Sequence, residues 1–380
     1  MSIIKANKLE HISTSNGGIQ LDNAGHVTVD GQQMPTAGAL SNRNLIINGA
    51  MQVSQRQTSI AVTTTGPYTL DRFKTGHGGG FNINSTISQS STAAAGFANS
   101  LKVDVTSVST PTGSENGLLL HRIEAQNLQH LQYGTSNAQT CTLTFWVKSN
   151  KTGTYCLQIV QDDAPKYQLH EYTISSSTDW EKKTITIVGN TADAIANNNG
   201  NGLELRWHFA SGSSDHVSAS STWTGSSTGY LTTSNQVNLF DSTSNEWYLT
   251  GVQLEVGEKA TPFEHKSFRQ ELSDCLRYFE KSYNYGVAPG TVTDNGMIAL
   301  RKSSVSSGIY DINLFYVHKR ATPTIVLYSP GSGASGKAEC EGSDQTAQGN
   351  DIGENNCRVT GTSQGSDIYI RVQYTADAEL

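Results

Sequence analysis

"EWYLTGVQLEVGEKATPFE", residues 246–264, decides the fold. It reads as a strand, a glycine turn and a second short extended piece. It runs straight into "HKSFRQELSDCLRYFEK" (265–281), where the period changes. Phe268, Leu272, Cys275, Leu276 and Phe279 fall at i, i+4, i+7, i+8 and i+11, so one helical face carries them all. The spacing predicts a helix over 266–281. A helix of this length is marginal alone, so its apolar face must dock on neighbouring β structure or on another copy of the chain. The helix therefore reads as a strut between two β units.

Upstream of that strut, residues 45–265 carry repeated alternating runs: "YTLDRFKTG", "SLKVDVTSV", "CTLTFWVKS", "TYCLQIV", "WEKKTITIVG" and "GLELRWHFAS". Roughly eight to ten strands at this spacing predict an antiparallel, jelly-roll-like β-sandwich. "NKTG" between "CTLTFWVKS" and "TYCLQIV" reads as a hairpin turn. The polar stretch "SGSSDHVSASSTWTGSSTGYLTTSNQ" reads as a long exposed loop. Downstream, "GMIALRKSS", "YDINLFYVHKR", "PTIVLYS" and "DIYIRVQYTA" predict a smaller C-terminal β domain over 282–380. Residues 1–44 differ from both. Their short extended pieces, "GIQLD" and "HVTVDG", each have an apolar face only two residues wide. That is too little to hold a domain alone, so this extended N-terminal segment needs a partner surface.

The mostly-β reading also fits the composition. Of 380 residues, 16% are charged and the formal net charge is −7. With no cluster of Lys and Arg to attract phosphate, nucleic-acid binding is excluded. No apolar run approaches the roughly 20 residues that span a bilayer, so no membrane insertion is expected. "MSIIKANKLEHIST" lacks the apolar region of a secretory signal, which predicts synthesis in a cytoplasm. Five cysteines do not make a disulfide scaffold. Cys340 and Cys357 could be joined if their region forms a hairpin, or stay free. Cys141, Cys156 and Cys275 read as small buried apolar residues.

The sequence holds no HExxH, CxxC pair or phosphate-binding glycine loop. A glycosidase needs two carboxylates at a set separation, and nothing singles out Asp241 and Glu246 for that task. The chain therefore reads as a non-enzyme without a cofactor. Asp162 and Asp163 in "VQDDAPKY" are calcium candidates, or a solvated turn. A calcium site needs six to eight oxygens and only these two side chains offer themselves. Aromatic faces in polar surroundings can stack on the apolar face of a pyranose. Trp223 and Tyr230 in the long loop, with Tyr167 and Tyr172 flanking "QLHE", are the glycan-contact candidates. The competing reading is that these rings cap the core, as expected for Trp146, Trp180, Trp207 and Trp247.

"NLIINGAMQVSQR", "YTLDRF", "CTLTFWVKS", "STDWEKKTITI", "WYLTGVQLEVGEKATPFEHKSFRQELSDCLRYFEK", "HKRATPTIVLYS" and "YTADAEL" occur in that order from about residue 42 to the C-terminus. Together they resemble tail-fibre and related virion structural proteins of tailed bacteriophages, most strongly those of marine phages. The resemblance implies a homotrimer located in the virion tail and assembled in the host bacterial cytoplasm. Residues 1–44 would attach it to other virion tail proteins, and its distal domains would meet host-surface glycan. It also implies a central sandwich similar to carbohydrate-binding modules. Two alternatives accompany it: a purely structural virion component (head fibre, decoration protein, or baseplate or tail-tip connector), and a polysaccharide depolymerase.

Overall fold

A computed structural model of the chain describes residues 8–9, 18–21, 27–29, 32–34, 41–63, 68–225, 229–302, 309–362 and 368–380. Most of the predicted attachment segment 1–44 lies outside them. Its described pieces, Lys8–Leu9, Ile19–Leu21, Val27–Val29 and Gln32–Gln33, form a four-stranded antiparallel meander. Register sets Ile19 opposite Val29 and Leu21 opposite Val27, which puts all four apolar side chains on one face. Ile19 and Leu21 are 46% and 42% exposed.

The fold is mostly β, with an antiparallel sandwich at its centre. One six-stranded sheet runs Glu181–Ile187, Cys141–Ser149, Glu246–Val256, Ser100–Val105, Ser85–Ser90, Ser59–Val62 in spatial order. The other runs Ser220–Thr224, Lys166–Ile174, Gly153–Gln161, Asn201–Ser211, Asn116–Glu124, Phe73–Gly78. Between them lies an aromatic core. Phe145 meets Trp207 edge-on at 5.8 Å and Phe209 meets Trp247 at 5.1 Å, geometries that favour ring pairs beyond the area they bury.

The "NKTG" turn is not a hairpin. Cys141–Ser149 pairs in the first sheet and Gly153–Gln161 in the second, so the turn carries the chain across the core. Val147 on one strand and Tyr155 and Leu157 on the other are all buried in the same inter-sheet core, which they enter from opposite sheets.

The 246–256 stretch is one continuous strand whose partner slips register between Thr144 and Trp146. At this bulge Gly251 takes φ +61°, and a Cβ there would sit 2.6 Å from the Phe97 ring and 2.9 Å from Trp146. Only glycine fits both the dihedral and the space.

The helix is shorter than its periodicity predicts, spanning Phe268–Leu276. The Ser267 hydroxyl caps it by accepting from the Gln270 N–H. Phe279–Lys281, expected to be its last turn, is instead a strand paired with Thr375–Asp377. Tertiary pairing overrides local propensity here. The buried helix residues are Glu271 and Cys275, whereas Phe268 is 44% exposed. Glu271 is drawn inward because its carboxylate accepts the buried Asn48 N–H at 2.8 Å.

The C-terminal β unit is organised on Ile368–Asp377, which pairs antiparallel with Phe279–Lys281, Ile298–Lys302, Thr324–Tyr328 and Lys337–Cys340. The sheet also includes Ser343–Asn350, Asn356–Thr362 and Ile309–Phe315. Cys340 and Cys357 are free buried thiols. Their strands flank Ser343–Asn350 on opposite sides and meet its opposite ends. Two strand spacings alone, about 9.6 Å, exceed the reach of a disulfide. Cys141, Cys156 and Cys275 are buried thiols as well.

Candidate functional site

The outward face of the second sheet carries Cys156, Val160, Tyr167 and Leu169, an apolar patch that water would penalise. The described residues of the 211–236 stretch, predicted to be an exposed loop, cover it. Val217 and Leu231 pack on the patch, and Thr232 and Thr233 are buried against the sheet. Gln158 fixes the crossing by donating to the Gly229 carbonyl (2.9 Å) while its side-chain oxygen accepts the Leu231 N–H (3.3 Å). His208 lies buried on the same face, and burial drives its pKa down to about 3, so the ring is neutral.

This covering decides where the aromatic candidates stand. Trp223 is half-buried: its indole N–H donates to the Val188 carbonyl at 2.7 Å and its ring meets Tyr133 edge-on. Tyr230 is half-buried with the Arg206 guanidinium 4.7 Å from its ring centre. Tyr167 lies under the loop, 8% exposed. Tyr172, 5% exposed, is sealed between the sheets, stacked on Tyr155 and edge-on to Phe145. The structure does not bring the four together, and Tyr172 turns no face outward. Alternation along Lys166–Ile174 puts Tyr167 on one side of the sheet and Tyr172 on the other.

Asp162 and Asp163 sit exposed at the tip joining Gly153–Gln161 to Lys166–Ile174. Asp163 accepts the Ala196 N–H at 2.9 Å. Among the described residues no group of three or more His, Cys, Asp or Glu is placed to hold a metal ion. Asp241 and Glu246 pair with Lys151 and Lys102 respectively. Among the described residues no helix is long and apolar enough to cross a membrane.

Polar chemistry gathers instead where the C-terminal unit meets the sandwich. The last residues of the chain lie against four arginines. Arg56 reaches Asp377 (2.8 Å), Asp71 (3.3 Å) and Glu379 (3.5 Å) while stacking 3.7 Å over the Phe279 ring. Buried Arg72 pairs with Glu379, donates to the Arg122 carbonyl at 2.7 Å and lies 3.5 Å over Tyr278. Arg320 donates to the carbonyls of Ala378 and Glu379, and Tyr68 and Arg122 both donate to that of Leu380. Arg277 and the Tyr278 hydroxyl converge on the buried Glu124 carboxylate. Burial alone would raise the Glu124 pKa, but these donors hold it below the usual range. Burial also raises Asp71, to about 6, against the pull of Arg56 and the Gln55 N–H.

Beside this junction opens a cleft of about 490 Å³, within the size range of small-ligand sites. Its wall is built by register. Phe279, Asp377 and Thr324 lie in one cross-strand row, with Thr375 and Val326 in the next, and Tyr328 follows on the same face. Arg56, Gln57, Ala288 and Pro289 close the opposite side. Lys281 shapes the rim by donating to the carbonyls of Gln55, Tyr285 and Val287, and burial lowers its pKa to about 8. The cleft thus offers an aromatic ring, hydroxyls, a part-exposed carboxylate and an apolar floor. Sequence reasoning missed it because its residues come from five separated segments. The one local signal was the strand-forming run "TIVLY". A second pocket, of about 540 Å³, lies by Glu171, His216, Thr233 and Asn235. Its lining holds no Phe, Tyr or Trp, and its Glu171 already accepts from Thr233 and Asn235.

The sequence matches no protein-family model and no curated protein. Among solved structures, it is similar to a xylan-binding module of family 22 from Paenibacillus barcinonensis at 9% identity. That match covers 59% of this chain and 100% of the other, with TM-score 0.29. It is similar to the family 11 carbohydrate-binding module of a cellulosomal cellulase of Clostridium thermocellum at 10% identity, covering 54% and 98%, TM-score 0.27. It is also similar to the enzymatically active domain of tailspike protein 4 of bacteriophage CBA120 at 12% identity, covering 59% and 24%, TM-score 0.28.

Proposed function

We propose that the chain is a non-catalytic virion protein of a tailed bacteriophage, a trimeric tail fibre that attaches through residues 1–44 and holds host-surface glycan with its β domains. The observation that carries the adhesive part is the junction cleft, where Tyr328, Thr324 and Asp377 share one face over the apolar side chains of Val326, Phe279 and Pro289. That is the combination a pyranose needs: a ring for its C–H face and oxygens for its hydroxyls. The trimeric part draws on the meander, whose Ile19, Leu21, Val27 and Val29 share a face, and on the sequence resemblance. Three copies would turn a weak single-site affinity into firm attachment.

A purely structural role is favoured by a different observation: Trp223, Tyr230, Tyr167 and Tyr172 all make contacts within the chain. Two measurements separate the readings. Sedimentation of the full chain should give three times 40.9 kDa, and a stable monomer at micromolar concentration overturns the fibre assignment. A glycan array should show binding that Tyr328→Ala weakens. Silence across surface polysaccharides leaves the structural role, and shortened capsule chains after incubation would establish a depolymerase.

A further inference from the structure

Resting on the glycan reading above, we infer that the junction cleft selects uncharged oligosaccharides and rejects acidic ones. The cation lining the cleft is Arg56, and its guanidinium is already committed. One terminal nitrogen serves Asp71 and Glu379 and the other serves Asp377, while its face covers the Phe279 ring. Three neighbouring cations are committed too: Arg72 pairs with Glu379, Arg320 donates to the Ala378 and Glu379 carbonyls, and Lys281 donates to three backbone carbonyls, while Lys74 lies 5.5 Å over the Tyr68 ring within the field of Asp377 and Glu379.

A uronate, sialate or phosphate entering the cleft would displace a carboxylate from Arg56 or lie unpaired beside Asp377. Either course is costly when desolvated. Asp377, with a side chain 38% exposed, is instead an acceptor for sugar hydroxyls, which donate well to a carboxylate. The hydroxyls of Thr324 and Thr375 can donate or accept, and Tyr328, edge-on to Tyr283 at 6.1 Å, is the platform for a ring. Neutral hexose or N-acetylhexosamine units meet each of these groups without a buried unpaired charge.

The test titrates the full chain, by calorimetry and by saturation-transfer NMR, with two sets of oligosaccharides. One set holds neutral gluco-, galacto-, manno- and N-acetylglucosamine oligomers, and the other holds oligogalacturonate, oligosialate and a phosphate-bearing oligomer. Binding confined to the neutral set is expected. Tyr328→Ala should weaken it about tenfold. Thr324→Trp, on an exposed position and so without loss of a buried contact, should block it by filling the cleft. Acidic oligomers bound as well as neutral ones, and lost in Thr324→Trp, would overturn the selectivity while leaving the glycan reading intact. Neutral binding untouched by both substitutions would place the site elsewhere. Binding of neither set would defeat the glycan reading as well.

Discussion

Replacing Glu379 by alanine should uncouple the two β units. Their apolar cores are separate clusters, and Glu379 is a main tie between them, its side chain 4% exposed against Arg72 at 1%. Removing one partner of a buried ion pair strands the other, at about 3–5 kcal/mol. Arg72 keeps the Arg122 carbonyl and the Tyr278 ring, and Arg56 keeps Asp71 and Asp377, so the low end, about 3 kcal/mol, is expected. At a urea dependence of about 3 kcal/mol per molar, that moves a midpoint by about 1 M.

The assay uses a feature of the sequence. All five tryptophans, Trp146, Trp180, Trp207, Trp223 and Trp247, lie in the sandwich, so fluorescence reports that unit, while far-UV circular dichroism reports both. The two probes should trace one urea transition in the native chain. In Glu379→Ala the dichroism should begin to fall about 1 M before the fluorescence. Coincident curves with an unmoved midpoint would refute the claim that this pair couples the units.

Three further outcomes follow from the same geometry. The pKa of Asp71 in the folded chain, about 6, stands above its unfolded value, chiefly through burial. Proton release therefore favours the unfolded chain between about pH 4 and pH 6. Across that window the native chain should lose stability relative to Asp71→Asn, and parallel stability curves for the two would contradict this. Gly251→Ala forces a Cβ into Phe97 and Trp146 at positive φ, so the melting temperature should drop by several degrees, for a cost of about 1–3 kcal/mol; no change would mean that the bulge relaxes freely. Leu21→Lys puts a charge on the exposed meander face. If that face drives assembly, sedimentation should show dissociation while thermal unfolding of the sandwich is unchanged.

Much of the fold is legible in the order of residues. Alternation in "CTLTFWVKS", "GLELRWHFAS" and "DIYIRVQYTA" marks strands because a pleated strand sends successive side chains to opposite faces, and all three are strands. The burial of Trp207 and Trp247 was open to the same reading. The site was not. Arg56, Phe279, Pro289, Tyr328 and Asp377 become neighbours only through the pairing of Ile368–Asp377 with its partners and the seating of the chain's last residues on the sandwich arginines.

Local pattern fixes what each residue prefers: extended or helical, inward or outward. It cannot say which sheet a strand joins, so "NKTG" looked like a hairpin although it crosses the core. Nor can it say what covers an apolar sheet face, so a serine-rich stretch that looked exposed became its lid. Both outcomes depend on long-range burial, whose free energy belongs to pairs of surfaces and not to any single run of residues.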